Sequence, residues 1–135
     1  MTYFLDANIC IYALKGTFPA IKQEIRSRRP SQIRIPSIVS AELRLGAQKS
    51  ERSKKTRETL ESFLAPFRIV PFDQQAALEY AEIRAALEQD GRPIGPNDLI
   101  IAATVNARNG ILVTHNLGEF DRVNGLKTAD WTKNE

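Results

Sequence analysis

Residues 95–113, GPNDLIIAATVNARNGILV, contain a helix and a strand that are apolar on almost every side. From Asp98 to about Arg108 the apolar residues surround nearly the whole helix, which is typical of a helix buried between other elements. Asn109-Gly110 ends this helix, and Ile111-Leu112-Val113 is the short apolar run of a buried strand. A buried helix followed directly by a buried strand indicates an α/β protein.

The same alternation extends along the rest of the chain. Short strands are predicted at 3–5, 33–35 and 68–70, with an edge strand within 126–131. Helices are predicted at about 8–15, 19–28, 37–49, 52–64, 73–90 and 118–122, with Ser37 and Asp73 as natural N-caps. We therefore expect one domain, residues 1–135, with a three-layer α/β/α fold around a mainly parallel sheet of four or five strands. In such sheets the functional site lies beyond the carboxyl ends of the strands.

Composition removes several kinds of chemistry. The 135 residues include one cysteine, Cys10, and one histidine, His115, which excludes an intramolecular disulfide and a zinc site built on these residue types. No apolar run approaches the roughly 18 residues of a membrane span, and a lone thiol fits the cytoplasm, where we expect the protein. The net charge of +3 permits a polyanionic partner. An enzyme of this composition must rely mostly on carboxylates.

Three carboxylates stand where a solvent-exposed acid is not expected. Asp6 directly follows the first strand, Glu42 falls within the apolar face of its helix, and Asp98 opens the apolar helix quoted above. Each has a structural alternative: a helix cap for Asp6, a salt bridge for Glu42, and a favourable contact with the helix dipole for Asp98. Together they predict a shared site in which a hard divalent cation, Mg²⁺ or Mn²⁺, offsets their repulsion and serves phosphoryl chemistry.

Four segments resemble, in this order, the PIN-domain ribonucleases and in particular the VapC-type toxins of bacterial toxin–antitoxin operons. They are FLDANI at 4–9, SAEL at 40–43 with Gly46, GPNDLIIA at 95–102, and LVTHN at 112–116 through Glu119-Phe120. The resemblance spans nearly the whole chain. The stretch GRPIGP at 91–96 looks most like enteric-type VapC toxins that act on initiator tRNA.

The resemblance implies a PIN-like fold and a metal-dependent endoribonuclease that inhibits translation by cutting structured RNA, with the anticodon stem-loop of initiator tRNA favoured. The family's three central acids fall on Asp6, Glu42 and Asp98, which would hold Mg²⁺ or, as a substitute, Mn²⁺. Asn116 replaces a fourth acid of many members, and Glu119 resembles a secondary acid. Thr114 occupies a polar family position, where it would contact an acid, a metal-bound water or the substrate. Attack by water would leave a 3′-hydroxyl and a 5′-phosphate.

The resemblance also suggests partners. The basic residues Lys49, Arg52, Lys54 and Lys55 become candidate contacts for RNA phosphates, although such a charge run is as often a solvated helix face. A second basic group, residues 22–29, has the same two readings. A homodimer is implied, as is a cognate VapB-type antitoxin whose C-terminal segment covers the active-site groove.

Other functions compete with this one. A phosphatase or receiver-like domain would use Asp6 as nucleophile or phosphoacceptor, but Asn8 stands where a haloacid-dehalogenase-type site has its second Asp. A catalytically weak PIN-like module that binds RNA or protein is the closer alternative, because Asn116 leaves it open. His115 is as consistent with packing as with contact to RNA.

Overall fold

The computed structural model describes residues 1–133, so positions 134 and 135 of the predicted domain lie outside the described residues. Five strands and seven α-helices alternate along this part of the chain, with a 3₁₀ turn at Pro30–Gln32. The strands are β1 (Tyr3–Leu5), β2 (Ile33–Pro36), β3 (Arg68–Val70), β4 (Ile111–Val113) and β5 (Lys127–Ala129). The helices are α1 (Ala7–Lys15), α2 (Pro19–Arg26), α3 (Ser37–Lys49), α4 (Ser53–Leu64), α5 (Gln74–Gln89), α6 (Pro96–Ala107) and α7 (Leu117–Phe120).

The sheet is entirely parallel, with the strand order β3-β2-β1-β4-β5. Helices α1 to α4 connect β1, β2 and β3, whereas α5 and α6 connect β3 to β4. Right-handed connections therefore place these two groups of helices on opposite faces. The predicted three-layer α/β/α fold is confirmed. Winding reverses between β1 and β4, so the crevice of this fold lies at the carboxyl ends of those two strands.

The core is apolar and tightly packed around β1 and β4. Phe4 and Leu112 are fully buried and lie opposite each other in the register of these strands. Gly110, just before β4, allows this approach, because a Cβ atom there would lie 2.4 Å from the Phe4 ring. Helix α6 belongs to the same core, because Leu99, Ile101 and most of the residues that follow are buried, and this accounts for its apolar sequence.

Two helix starts differ from the sequence prediction. Ser37 is the first residue of α3 rather than its N-cap, because Pro36 occupies the cap position and no side chain caps the helix. Helix α6 begins at Pro96, two residues before the predicted start, because proline's fixed φ suits the first turn of a helix. Asp98 is thereby placed within the first turn of α6. No helix among residues 1–133 is both long and apolar enough to cross a membrane.

Candidate active site

Asp6 lies directly beyond β1 and caps α1. Its Oδ1 accepts a hydrogen bond from the Ile9 backbone N–H at 2.9 Å, so the capping alternative is confirmed. Only 5% of the residue is exposed. Burial raises the pKa of the Asp6 carboxyl, and the nearby charge of Glu42 adds to this, while hydrogen bonds from Thr114 and Ile9 oppose it. The capping bond therefore holds the Asp6 carboxylate in a buried position where its charged form is disfavoured.

Thr114 lies beyond β4, beside Asp6, and is fully buried. Its hydroxyl accepts the Asn116 backbone N–H at 3.0 Å. The same hydroxyl is close enough to the Asp6 carboxyl to lower its pKa. We predicted Thr114 as a substrate contact, and this is corrected: a fully buried side chain cannot touch RNA, and Thr114 positions Asp6 instead.

Glu42 approaches the same site from α3, which contacts α6 although the two helices belong to opposite layers. Its Oε1 is buried and has no hydrogen-bond partner among the described residues. The salt-bridge alternative is therefore not realised, because no Lys, Arg or His of residues 1–133 pairs with this carboxylate. A buried, unpartnered carboxylate oxygen is costly and needs a compensating charge.

Asp98 and Glu119 form a linked pair at the start of α6. Glu119 Oε1 accepts the Gly95 backbone N–H at 2.6 Å, and its Oε2 accepts from Asn116 Nδ2 at 2.9 Å. These bonds keep the pKa of Glu119 below its ordinary value, with that from Gly95 the most important. Burial, followed by the charge of Glu119, raises the pKa of Asp98 to about 7. The charge of Glu119 therefore favours the protonated form of Asp98, unless a cation offsets that charge.

The four carboxylates Asp6, Glu42, Asp98 and Glu119 thus act on one another at the switch point of the sheet. The charges of Asp6 and Glu42 both contribute to the raised pKa of Asp98. Within residues 1–133, no three His, Cys, Asp or Glu side chains are grouped closely enough to coordinate one ion as they stand. Like charges keep apart unless a cation offsets them. The oxygen donors and the unpartnered Glu42 oxygen fit a hard divalent cation.

A groove of about 630 Å³ runs from Glu42 between α1, α3 and α4. Its walls include apolar Leu14 and Leu43, and Arg52 and Lys55 line it as well. Of the predicted phosphate contacts, these two therefore lie in one groove with Glu42. Lys54 lines a separate, shallow depression with Arg52 and Lys55, and Lys49 is exposed outside the groove lining.

Two features were missed by sequence reasoning. Lys15, at the end of α1, is a further cation in the groove, and its only signal was a basic residue in a last helical turn. Arg28 of the second basic group is a structural residue, since it pairs with Glu24 and stacks on Tyr3 and Trp131 at 4.4 and 4.5 Å. Trp131 itself is a buried packing residue.

The fold and the acid cluster define a class of proteins. A model described as the PIN domain matches residues 3–126, so the chain belongs to the PIN-domain family. The chain is 37% identical over 132 residues to the "tRNA(fMet)-specific endonuclease VapC" of Shigella flexneri, covering 98% of this chain and 99% of that protein. It is 38% identical over 134 residues to "Ribonuclease VapC2" of Rickettsia felis, covering 98% and 100%. Within the PIN family, it falls among the VapC ribonucleases.

Solved structures agree with this assignment. VapBC2 of Rickettsia felis, bound to a DNA fragment from its promoter, has a TM-score of 0.91 at 37% identity, covering 97% of this chain and 99% of that one. DNA-bound VapBC of Salmonella typhimurium has a TM-score of 0.92 at 34% identity, covering 97% and 98%. The fold of a VapC ribonuclease therefore extends over nearly all of this chain.

Proposed function

We propose that this chain is a Mg²⁺-dependent endoribonuclease toxin, with Mn²⁺ as a substitute ion, that inhibits translation by hydrolysing structured RNA. Membership of the VapC ribonucleases supports the reaction class. One observation carries the metal dependence: Glu42 Oε1 is buried without a partner beside Asp6 and Asp98, whose pKa values are raised by burial and by neighbouring carboxylates. A bound divalent cation would offset this set of charges and keep the three acids ionised.

Asp6, Glu42 and Asp98 would hold the ion, and the remaining polar residues would hold these acids. A divalent cation bound there supplies positive charge that activates water and offsets charge on the phosphate. Thr114 orients Asp6, while Asn116 and the Gly95 N–H orient Glu119. The oxygen of water bonds to phosphorus as the water loses a proton, the P–O3′ bond breaks, and the departing O3′ takes up a proton in return, which leaves a 3′-hydroxyl and a 5′-phosphate.

Initiator tRNA is the substrate we favour. The relative from Shigella flexneri is named as specific for tRNA(fMet), and residues 91–96 resemble such toxins. Arg52 and Lys55 line the groove that begins at Glu42, where they would meet phosphates flanking the cut bond. Lys49 and Lys54 would contribute only to the wider positive surface.

A VapB-type antitoxin and a second copy of this chain are the proposed protein partners. The solved relatives are VapBC complexes. The groove between α1, α3 and α4 offers apolar walls with three basic residues and one acidic residue, which suits the C-terminal segment of an antitoxin. Leu45 of α3 and Leu78 of α5 are 57% and 53% exposed, and a homodimer would cover one or both of these apolar side chains.

The test is cleavage of total RNA and of an initiator tRNA transcript by the purified chain, free of any antitoxin. We expect cleavage with Mg²⁺ or Mn²⁺, none with EDTA, and none by Asp98→Asn with unchanged circular dichroism. Cleavage in EDTA would disprove the metal dependence. RNA binding without cleavage under every condition would favour the catalytically weak module, because Asn116 stands where many members have a fourth acid.

A further inference from the structure

His115 lies beside the acid cluster but belongs to a separate group of residues near the end of the chain. Its Nδ1 is 3.0 Å from Asp130 Oδ2 and 3.2 Å from Thr132 Oγ1. The Thr132 hydroxyl and backbone N–H both donate to Asp130 Oδ1, at 2.7 and 3.0 Å. The Asp130 side chain is only 10% exposed. Asp130 is therefore fixed on one side and can hold the His115 ring on the other.

These bonds determine how the imidazole is oriented. Burial alone would raise the pKa of Asp130, but the hydrogen bonds from Thr132 and His115 outweigh it and keep the pKa below its ordinary value. An ionised carboxylate only accepts hydrogen bonds, so Nδ1 of His115 carries the hydrogen. Nε2 makes no hydrogen bond within residues 1–133. The outer edge of the ring is thus available to a ligand.

Two aromatic side chains complete the group. The His115 ring centroid lies 6.5 Å from that of Tyr12 and 6.0 Å from that of Phe18, and the latter two rings are 4.9 Å apart. Tyr12 belongs to α1, whose first turn is capped by Asp6. His115 is close enough to Asp6 to lower the pKa of that carboxyl. Nevertheless, 48% of the His115 side chain remains exposed.

We propose that His115, held by Asp130 and flanked by Tyr12 and Phe18, is a stacking platform for a nucleobase adjacent to the cut phosphodiester. The proposal rests on the ribonuclease function proposed above. Structured RNA is read largely through unstacked loop bases that stack on aromatic rings. A packing residue has no need of a buried carboxylate that fixes its ring, nor of a half-exposed side chain beside the reacting groups. The platform selects which nucleotide is placed at the acids, and Asp130 is its positioning residue.

The test uses an initiator tRNA transcript in which 2-aminopurine replaces, one at a time, the nucleotides on either side of the cut bond. Stacking on a ring changes the fluorescence of this base, and binding is measured in EDTA so that cleavage is not required. KM and kcat are then measured with Mg²⁺. The variants are His115→Ala, His115→Phe, Asp130→Asn and the double variant His115→Phe with Asp130→Asn. Phe72→Ala is the matched control, because Phe72 is a 39%-exposed aromatic residue beyond β3, three strands away from β4.

We expect one flanking position to change fluorescence on binding to the wild type, and His115→Ala to remove this change and raise KM about tenfold with little effect on kcat. His115→Phe should restore both, because a phenyl ring also stacks. Asp130→Asn should impair binding only when residue 115 is His, whereas a merely structural role for Asp130 would impair the double variant equally. Phe72→Ala should match the wild type.

The two proposals fail in different ways. Cleavage by His115→Ala with wild-type KM and an unchanged fluorescence signal would overturn the platform and leave the ribonuclease intact. A signal that depends on His115 in a wild-type protein that cuts no RNA would overturn the ribonuclease function and support base stacking. Circular dichroism and melting temperature of each variant identify any loss of folding, and a signal lost only with folding would also count against the platform.

Discussion

Asp6 and Asp73 both cap a helix, but they lie in different parts of the molecule. Each ends an extended segment and caps a helix, accepting the backbone N–H three residues ahead at 2.9 Å for Asp6 and 3.0 Å for Asp73. Asp73 is exposed, bonded to Arg108 at 2.9 Å, and its pKa is lowered, first by the Ala76 N–H and then by Arg108. Asp6 is buried beside Glu42, and its pKa is raised by burial.

The comparison shows that the surroundings of a capping Asp, rather than the cap itself, decide whether its carboxylate is a candidate metal ligand. Asp73 lies beyond β3, an edge strand, where solvent and Arg108 satisfy its charge. Asp6 lies beyond β1, at the centre of the sheet, where the residues that approach it include two further acids. Matched substitutions at the two caps therefore separate helix capping from catalysis.

The largest expected difference is in RNA cleavage. Asp6→Asn keeps a cap oxygen but loses the charge, so it should reduce the cleavage rate by more than the roughly 100-fold lost with outer-shell partners of a metal. Asp73→Asn should leave the rate within about twofold of the wild type. Initial rates on the same tRNA transcript measure both. Equal rates for the two variants would show that Asp6 is only a cap.

The charge of Glu42 helps to raise the pKa of Asp6, and no acid among residues 1–133 does this at Asp73. Replacement of Glu42 should lower the cleavage rate and raise the stability of the metal-free protein. Glu42→Gln removes a buried, unpaired charge, so the metal-free protein should gain about 1 kcal/mol of unfolding free energy while cleavage falls at least about tenfold. Urea titration and initial rates measure these effects.

Glu61→Gln is the control for this substitution, because Glu61 is an exposed glutamate paired with Arg44. It should change neither quantity appreciably. If Glu42→Gln destabilised the protein instead, the carboxylate would have a partner, and the case for a cation would be lost.

Removing the cap oxygen at Asp73 should affect only folding. Asp73→Ala loses the bond to Ala76 and the pairing with Arg108, and the melting temperature should fall by about 3 °C with cleavage unchanged. Arg108→Ala should lower the melting temperature by less, because it removes the pairing with Asp73 and keeps the bond from Ala76. A marked loss of cleavage in Asp73→Ala would break the comparison, because it would connect the edge of the sheet to the site.

The two regions also differ in the pH dependence of stability, to which they contribute with opposite signs. Asp98 has a folded pKa of about 7, above its ordinary 3.8, so the folded state holds the proton more tightly and this contribution is lost as pH rises from about 4 to 7. Asp73 has a lowered pKa, so its contribution is present above its ordinary value of 3.8 and is lost as pH falls through the lower folded pKa.

Melting temperatures of the metal-free protein between pH 3 and 8 test this point. Asp98→Asn should flatten the curve between about pH 4 and 7, whereas Asp73→Asn should flatten it only below about pH 4. An Asp98→Asn curve parallel to that of the wild type would mean that Asp98 titrates normally and lies apart from the other acids.

Much of the fold followed from local patterns. The apolar runs predicted all five strands, and the caps at Asp6 and Asp73 were correct because capping depends on the residue and the next few positions. Errors arose at helix starts preceded by proline or glycine, where the backbone conformation rather than a side chain sets the boundary.

Only part of the candidate site could be predicted from the sequence. Glu42 was anomalous on its helix, and its buried, unpartnered oxygen agrees with that anomaly. The bond from the Gly95 backbone N–H to Glu119 had no local signal, because the two residues are 24 positions apart. The pairing of His115 with Asp130 joins residues 15 positions apart and was likewise unpredictable.

The sequence by itself determined the order of helices and strands, the faces they bury and the three acids that do not suit those faces. Periodicity and capping are local properties, and each is complete within a few residues. Only the tertiary structure decided which charges meet, because strand order places β1 beside β4 and brings α3 against α6. The same arrangement makes Thr114 a buried support for Asp6, puts Arg52 and Lys55 in the groove with Glu42, and leaves Asp73 an ordinary cap.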